Sequence, residues 1–318
     1  MYLINKTQSK EKMFQKPWLA YSLQAMKPVD REQNQWLIEK TTIIENQLKA
    51  AYDQLGFQTD FYIIGSVATN THQVQPFKID LLVLLKSDSK NETNDELSLL
   101  ESLMKLYKSS LIVLPPQFPK ALINDSQPLA LEMSFNSWAC TFCLYFGVWQ
   151  PGKSTASGIS SLSGEVKFLH LTQKELIEMD PFQGILKLNL KDQKVNQNAK
   201  PLIRMLKKLK HDSKLNIPLS GHEITSIVYS MDDYSLEKQD GQLLFLLLEC
   251  SLFLKKLEDN LFLRRSLRSP DKLPLQCIHE ELRVLTGIKL LKSELDKLIK
   301  HLVLEIDLYT NVNEMAVN

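Results

Sequence analysis

A glycine–serine pair, Gly65-Ser66, closes an apolar run at residues 61–64, and the next apolar run, residues 79–85, opens with an acid at Asp80. A Gly-Ser pair ending a strand and opening a helix permits a tight turn whose backbone N–H groups and hydroxyl suit phosphate oxygens, helped by the positive end of the helix. A carboxylate on the adjacent strand would lie beside that turn, where a divalent cation can bridge it to phosphate. These residue types describe a nucleotide site, and an ordinary turn beside an acidic strand accounts for them equally well. Farther along, Lys200, Arg204, Lys207, Lys208 and His211 recur at helical spacing opposite Leu202, Met205, Leu206 and Leu209. Such a stripe is either the solvated face of a surface helix or a contact face for phosphate or nucleic acid.

Other motifs compete. Residues 147–154, GVWQPGKS, satisfy G-x-x-x-x-G-K-[ST] and follow a strand-like run. A P-loop also needs a helix starting at its lysine, and the following TASGISSLSG resists helix formation, so the structural context fails. Cys140 and Cys143 form a CxxC, but three residues apart on a strand they point to opposite faces. His170, Cys277 and His279 lack companions at zinc-ligand spacing.

The elements that would position these groups follow from periodicity. Residues 30–55 read as a helix, with Leu37, Thr41, Ile44, Leu48, Ala51 and Leu55 on one face, Asp30 as cap and Gly56 as terminator. Residues 61–64 and 79–85 read as strands, the second apolar and β-branched enough to be central. After a polar loop from residue 87 comes a helix to about 108; LIVL, LALEMSF and CTFCLYFGVW read as further strands. Residues 150–164, rich in Gly and Ser, read as a loop. Strand-like runs cease from about residue 175, and amphipathic helices follow at 201–211, 223–231, 242–257 and 289–308.

The stretch GSVATNTHQVQPFKIDLLVLL resembles the nucleotidyltransferase superfamily of oligoadenylate synthases, cyclic GMP-AMP synthase and bacterial cyclic-oligonucleotide synthases. Their pattern is a Gly-Ser, a Thr five residues after the Ser, then Asp-x-Asp leading an apolar strand. Gly65, Ser66, Thr71 and Asp80 match it. AKPLIRMLKKLKHD resembles the family's triphosphate-gripping helix, which makes Lys207 the phosphate lysine. IPLSGHEITSIV resembles the segment opening the next helix, which implies Ser220 on phosphate and His222 at the base-stacking position. Two departures stand out: Lys78 occupies the place of the first Asp, and the later strand at 140–149 holds no acid for the third. Glu132 on the preceding strand is the nearest alternative. Two-metal phosphoryl transfer needs several carboxylates holding cations about 3.5–4 Å apart; one Asp beside a Lys does not supply them. An ammonium at that place can instead neutralise phosphate directly as a point charge.

The resemblance therefore implies an α+β, polymerase-β-like nucleotidyltransferase core at residues 1–195, including the N-terminal helix, followed by a helical domain at 196–318. The preferred reading is a degenerate nucleotidyltransferase that binds a nucleoside triphosphate or a protein partner in a pocket between the lobes. It requires no cofactor and by resemblance serves innate or antiviral defence. The alternative is an active transferase or cyclic-oligonucleotide synthase using ATP, Mg²⁺ or Mn²⁺, and Asp80 with Glu132; a third is an interaction scaffold with an empty cleft. Composition agrees with a globular chain: 318 residues, 44% hydrophobic, 38 Lys+Arg against 37 Asp+Glu, net charge +1. Near-neutrality argues against a charge-driven nucleic-acid binder, leaving the stripe at Lys200, Arg204, Lys207 and Lys208 as the local option. Four cysteines do not make a disulfide framework. No apolar run approaches the roughly 20 residues a bilayer needs, and the N-terminus lacks a signal-type apolar core. A cytoplasmic protein is expected.

Overall fold

The computed structural model describes residues 17–73, 77–86, 96–151, 164–237, 242–271 and 281–315. Residues 152–154 of the P-loop-like motif, together with Cys277 and His279, lie outside the described residues, whereas Gly147 to Pro151 form part of a strand. The chain divides into two compact units. One comprises residues 29–187 with Pro270 and Asp271; the other comprises residues 17–28, 188–269 and the C-terminal helix. This division falls at 187/188, and residues 17–28 group with the helical unit.

The α/β unit is built on a seven-stranded mixed sheet. Its strands are β1 (Thr59–Ile64), β2 (Phe77–Leu85), β3 (Leu122–Asn124), β4 (Leu131–Phe135), β5 (Cys140–Pro151), β6 (Gly164–His170) and β7 (Glu175–Met179). β2 runs parallel to β5, and all other pairings are antiparallel. One edge of β5 pairs with β2; its other edge pairs first with β4 and then with β6. β2 is apolar on both faces for most of its length, the signature of an interior strand. Ile79, Leu81 and Val83 are fully buried in the core shared with the flanking helices. Leu82 and Leu84 point the other way, into a smaller cluster with Val166 and Phe168.

Those helices are α2 (Arg31–Gln54) and α4 (Glu96–Gln117). Asp30 caps α2, its carboxylate accepting from Gln33 N at 2.8 Å, and Gly56 ends it at φ +79°. The buried face is Leu37, Thr41, Ile44, Leu48 and Tyr52; Leu55, expected there, is 54% exposed. Tyr52 takes the inward place because its hydroxyl reaches Ser110 Oγ at 2.6 Å inside the core. LIVL is helical, not a strand. Leu103, Leu106, Ser110 and Leu114 continue one buried face of α4 at spacings of three and four, and Pro115 and Pro116 sit in its last turn. β7 likewise corrects the expectation that strands cease at residue 175.

The helical unit contains α1 (Pro17–Met26), the second half of α5 (Pro181–Lys194), α6 (Ala199–Asp212), α7 (Gly221–Ser230), α8 (Asp233–Leu236), α9 (Leu243–Asp259), α10 (Leu261–Ser266) and α11 (Glu281–Met315). Leu202, Ile203, Leu206, Ile227, Leu247, Leu254, Ile288 and Leu295 share its core. Glu305 of α11 accepts from Trp18 N and Leu19 N at 2.8 and 3.1 Å, satisfying backbone donors at the start of α1. Arg204 is only 5% exposed and donates from Nε to Met26 O at 2.8 Å. The expected basic contact stripe is thus interrupted. Lys208 is also engaged, pairing with Asp212 at 2.6 Å, and Lys200 is half-buried beside Asp192.

Candidate nucleotide site

Gly65 ends β1 and opens α3 (Gly65–Ala68), a helix of a single turn. Its φ of +65° is a left-handed conformation that favours glycine. A Cβ at this position would also fall inside van der Waals contact of Asp80 Oδ2, so the backbone lies directly against that carboxylate. The register explains why: Ile64 pairs with Asp80 across β1 and β2. Thr69 Oγ1 donates to Gly65 O at 3.0 Å, and Thr71 N donates to Ser66 O at 2.8 Å. Thr71 is buried, with its hydroxyl 3.0 Å from Thr69 Oγ1, so it closes the loop from within. Ser66 is half-buried and Gly65 exposed.

Alternation along the strands then assembles two polar rows on one face of the sheet. Lys78, Thr141 and Ser134 are neighbours across β2, β5 and β4; Asp80, Cys143 and Glu132 form the next row. Ser134 Oγ and Thr141 Oγ1 lie 2.9 Å apart. Lys78 Nζ reaches Glu132 Oε1 at 3.5 Å, with side chains 55% and 21% exposed. The Cys143 thiol lies 3.7 Å from Glu132 Oε1, and Asn124 Nδ2 lies 3.4 Å from Oε2. Tyr145, next on β5 on this face, donates to Asp80 Oδ1 at 3.4 Å. Sequence reasoning singled out Lys78, Asp80 and Glu132 but missed Thr141, Ser134, Tyr145 and the alignment of Cys143. Counting in twos from Cys143 would have put Thr141 and Tyr145 on its face; placing Ser134 and Glu132 beside them needed the register.

Electrostatics follow from this crowding. Burial raises the Cys143 thiol pKa, Asp80 and Glu132 raise it further, and Lys78 only partly offsets them. Cys143 is therefore a neutral thiol at physiological pH. Burial alone would lower the pKa of the Lys78 ammonium, yet Cys143, Asp80 and Glu132 carry it above the ordinary lysine value. With the thiol neutral, the two carboxylates supply that attraction. Burial, reinforced by Asp80, likewise keeps the Tyr145 phenol protonated.

In the helical unit, Lys207 is half-buried, and a Cβ on Gly221 would sit 3.4 Å from its Cε and 3.8 Å from its Nζ. The lysine thus passes the first residue of α7, next to Ser220. Ser220 caps that helix: its Oγ accepts from Glu223 N at 3.1 Å, while Glu223 Oε2 accepts from Ser220 N at 2.6 Å. The cap uses the hydroxyl as an acceptor and leaves its O–H as a donor. Lys210 Nζ donates to Leu219 O, and Arg283 Nη1 donates to Pro218 O at 2.5 Å, so the preceding loop is held from both sides. His222 is exposed on the first turn of α7. Lys207, expected from one segment, thus lies beside the start of α7, the segment from which Ser220 and His222 were expected together.

No protein-family model matches the chain. A cyclic dinucleotide synthase CdnE from Yersinia aleksiciae is 26% identical over 252 residues, which span 76% of this chain and 66% of that relative. A STING-associated CdnE c-di-GMP synthase from Capnocytophaga granulosa superposes with a TM-score of 0.68 at 20% identity, covering 93% of this chain and 92% of the other. The chain has the cyclic-oligonucleotide nucleotidyltransferase fold. Elizabethkingia meningoseptica CdnE cyclic dinucleotide synthase, solved with GTP and Apcpp, shares that fold at a TM-score of 0.60 and 15% identity, covering 86% and 95% of the two chains.

Within this nucleotidyltransferase fold, the donor set does not fit a two-metal centre. Asp80 is a suitable oxygen ligand. Its row neighbour on β5, the strand where the resemblance places a third acid, is the neutral thiol of Cys143. Lys78 brings positive charge to the place of the first acid, and Glu132 is engaged with that ammonium. Among the described residues, no group of three or more His, Cys, Asp or Glu side chains is placed to hold a metal ion.

Proposed function

We propose that this protein binds a nucleoside triphosphate and has lost two-metal phosphoryl transfer, acting through binding as a sensor or as a partner of an active enzyme. The observation that carries this reading is the row Asp80–Cys143–Glu132 with Lys78 above it, in which one carboxylate remains well disposed, one position is a thiol and one is a cation. The Gly65-Ser66 turn and Lys78 are the phosphate-facing groups of the α/β unit. Lys207 and the Ser220 hydroxyl form a second polar neighbourhood in the helical unit, with His222 beside it for base contact. No helix among the described residues is long and apolar enough to cross a membrane, and we place the protein in the cytoplasm. The STING association of the Capnocytophaga relative supports a role in defence signalling.

A second reading is an active cyclic dinucleotide synthase using a divalent metal, with Asp80 and Glu132 as its carboxylates. The comparisons favour it, because the relatives are synthases by name. Incubation of the full chain with all four nucleoside triphosphates and Mg²⁺ or Mn²⁺ separates the two. No linear or cyclic product, with ATP binding seen by calorimetry, is the expected result. Product formation that Asp80→Ala abolishes would establish the synthase instead.

A further inference from the structure

The polar rows of the sheet contain a carboxylate that the metal-binding pattern does not call for, and its position has a consequence for anions. Glu132 lies on β4, two strands from Lys78, and meets its ammonium diagonally across β5. We propose that Glu132 is a built-in counter-ion holding the place of a phosphate oxygen on Lys78, so that a polyphosphate binds here by displacing Glu132 and without a divalent cation. The inference rests on the reading that this chain binds a nucleoside triphosphate.

The contact has the character of an exchangeable pair. At 3.5 Å it is longer than the roughly 2.7–2.9 Å of a well-formed charge-assisted hydrogen bond. Lys78 is 55% exposed, and an ammonium has three donors, so an oxyanion can approach from solvent without entering the core. Glu132 keeps Asn124 Nδ2 and the Cys143 thiol as polar neighbours once the ammonium turns away, which lowers the cost of exchange. Thr141 and Ser134, mutually paired beside Lys78, offer hydroxyls on the same face. Charge arithmetic gives Glu132 its effect. Lys78 at +1 against Asp80 and Glu132 at −1 each leaves the cluster at −1, so an anion is opposed as long as Glu132 stays against the ammonium. Asp80 remains turned to Gly65 and the Tyr145 hydroxyl.

The test is calorimetric titration in EDTA with ATP and, separately, with inorganic tripolyphosphate. The proteins are the full-length chain and its variants Glu132→Gln, Lys78→Met, Lys78→Arg and Glu132→Gln with Lys78→Met. Glu132→Gln is expected to tighten binding about tenfold and Lys78→Met to weaken it by a similar factor, the size of one charge-assisted bond. Lys78→Arg, which keeps the positive charge, should weaken binding less than Lys78→Met does. The double variant should behave as Lys78→Met alone. Tripolyphosphate following this pattern as closely as ATP assigns the contact to the phosphates, whereas the pattern in ATP alone assigns it to a bound nucleotide; both support the exchange. Parental affinity in Glu132→Gln, or a gain that persists without Lys78, overturns it while leaving nucleotide binding intact. Failure of every protein to bind ATP, with or without Mg²⁺, removes the nucleotide-binding reading itself and the inference with it.

Discussion

Lys78 shows how a single side chain redirects the chemistry of a site whose backbone is retained. Its strand places it two residues before Asp80 and on the same face, where a carboxylate would add to a cation site and an ammonium subtracts from one. Cys143 compounds the change, since a buried neutral thiol is a poor partner for Mg²⁺, which prefers oxygen. Reversing both changes is the direct check. Lys78→Asp combined with Cys143→Asp would place acids at three neighbouring positions with Asp80, and Mn²⁺ binding followed by electron paramagnetic resonance should appear in that double variant. The parental chain should show none. Without cation, the same variant should be less stable than the parent, because neighbouring carboxylates repel, and Mn²⁺ should restore the loss. Equal Mn²⁺ affinity in parent and variant would contradict the assignment of these positions.

At the scale of elements, two loops hold the candidate groups, and each is secured by a feature that mutation can expose. Gly65 combines φ +65° with a close approach to Asp80. Gly65→Ala should cost about 1–3 kcal/mol, the range for a residue forced into a disfavoured backbone region, measured as a shift in denaturant midpoint. Part of that cost is collision with Asp80, so Asp80→Ala in the same background should recover some of it and the two changes should not add. The loop before α7 depends on Glu223, which is 5% exposed, completes the capping box and receives Arg283 Nη2 at 2.5 Å. Arg283→Met should destabilise by about 1–3 kcal/mol, the cost of leaving a buried acceptor without its charged donor, again read from chemical denaturation. α4 carries a different lesson. LIVL looked like a strand because four consecutive apolar residues fit either element, and only packing against the sheet decided that Leu114 continues the face begun by Leu103.

For the molecule as a whole, nucleotide binding must appear as added stability of the folded state, whatever the chemistry that follows. With EDTA present and ATP at about 100 times its dissociation constant, linkage predicts about 2.7 kcal/mol of stabilisation. A calorimetric scan should therefore show a higher unfolding temperature with ATP, and the effect should shrink with added salt if Lys78 is the contact. A rise that requires Mg²⁺ would instead favour the synthase reading. Much of this architecture was legible beforehand. Asp30 and Gly56 bound α2 where their chemistry predicts, the apolar run after Asp80 forms an interior strand, and the helices from residue 199 onward follow their 3.6-residue period. The pairing of Gly65-Ser66 with an acidic strand was legible too, because a turn and an alternating strand are local matters. Tertiary structure alone decided the rest. Strand register determines that Cys143 stands beside Asp80 and that Glu132 completes the row, and register depends on which residues two distant segments bury together. Packing likewise drew Arg204 out of the basic stripe to cap Met26, since a helix presents the same spacing to solvent or to a neighbour and only that neighbour determines which faces are covered.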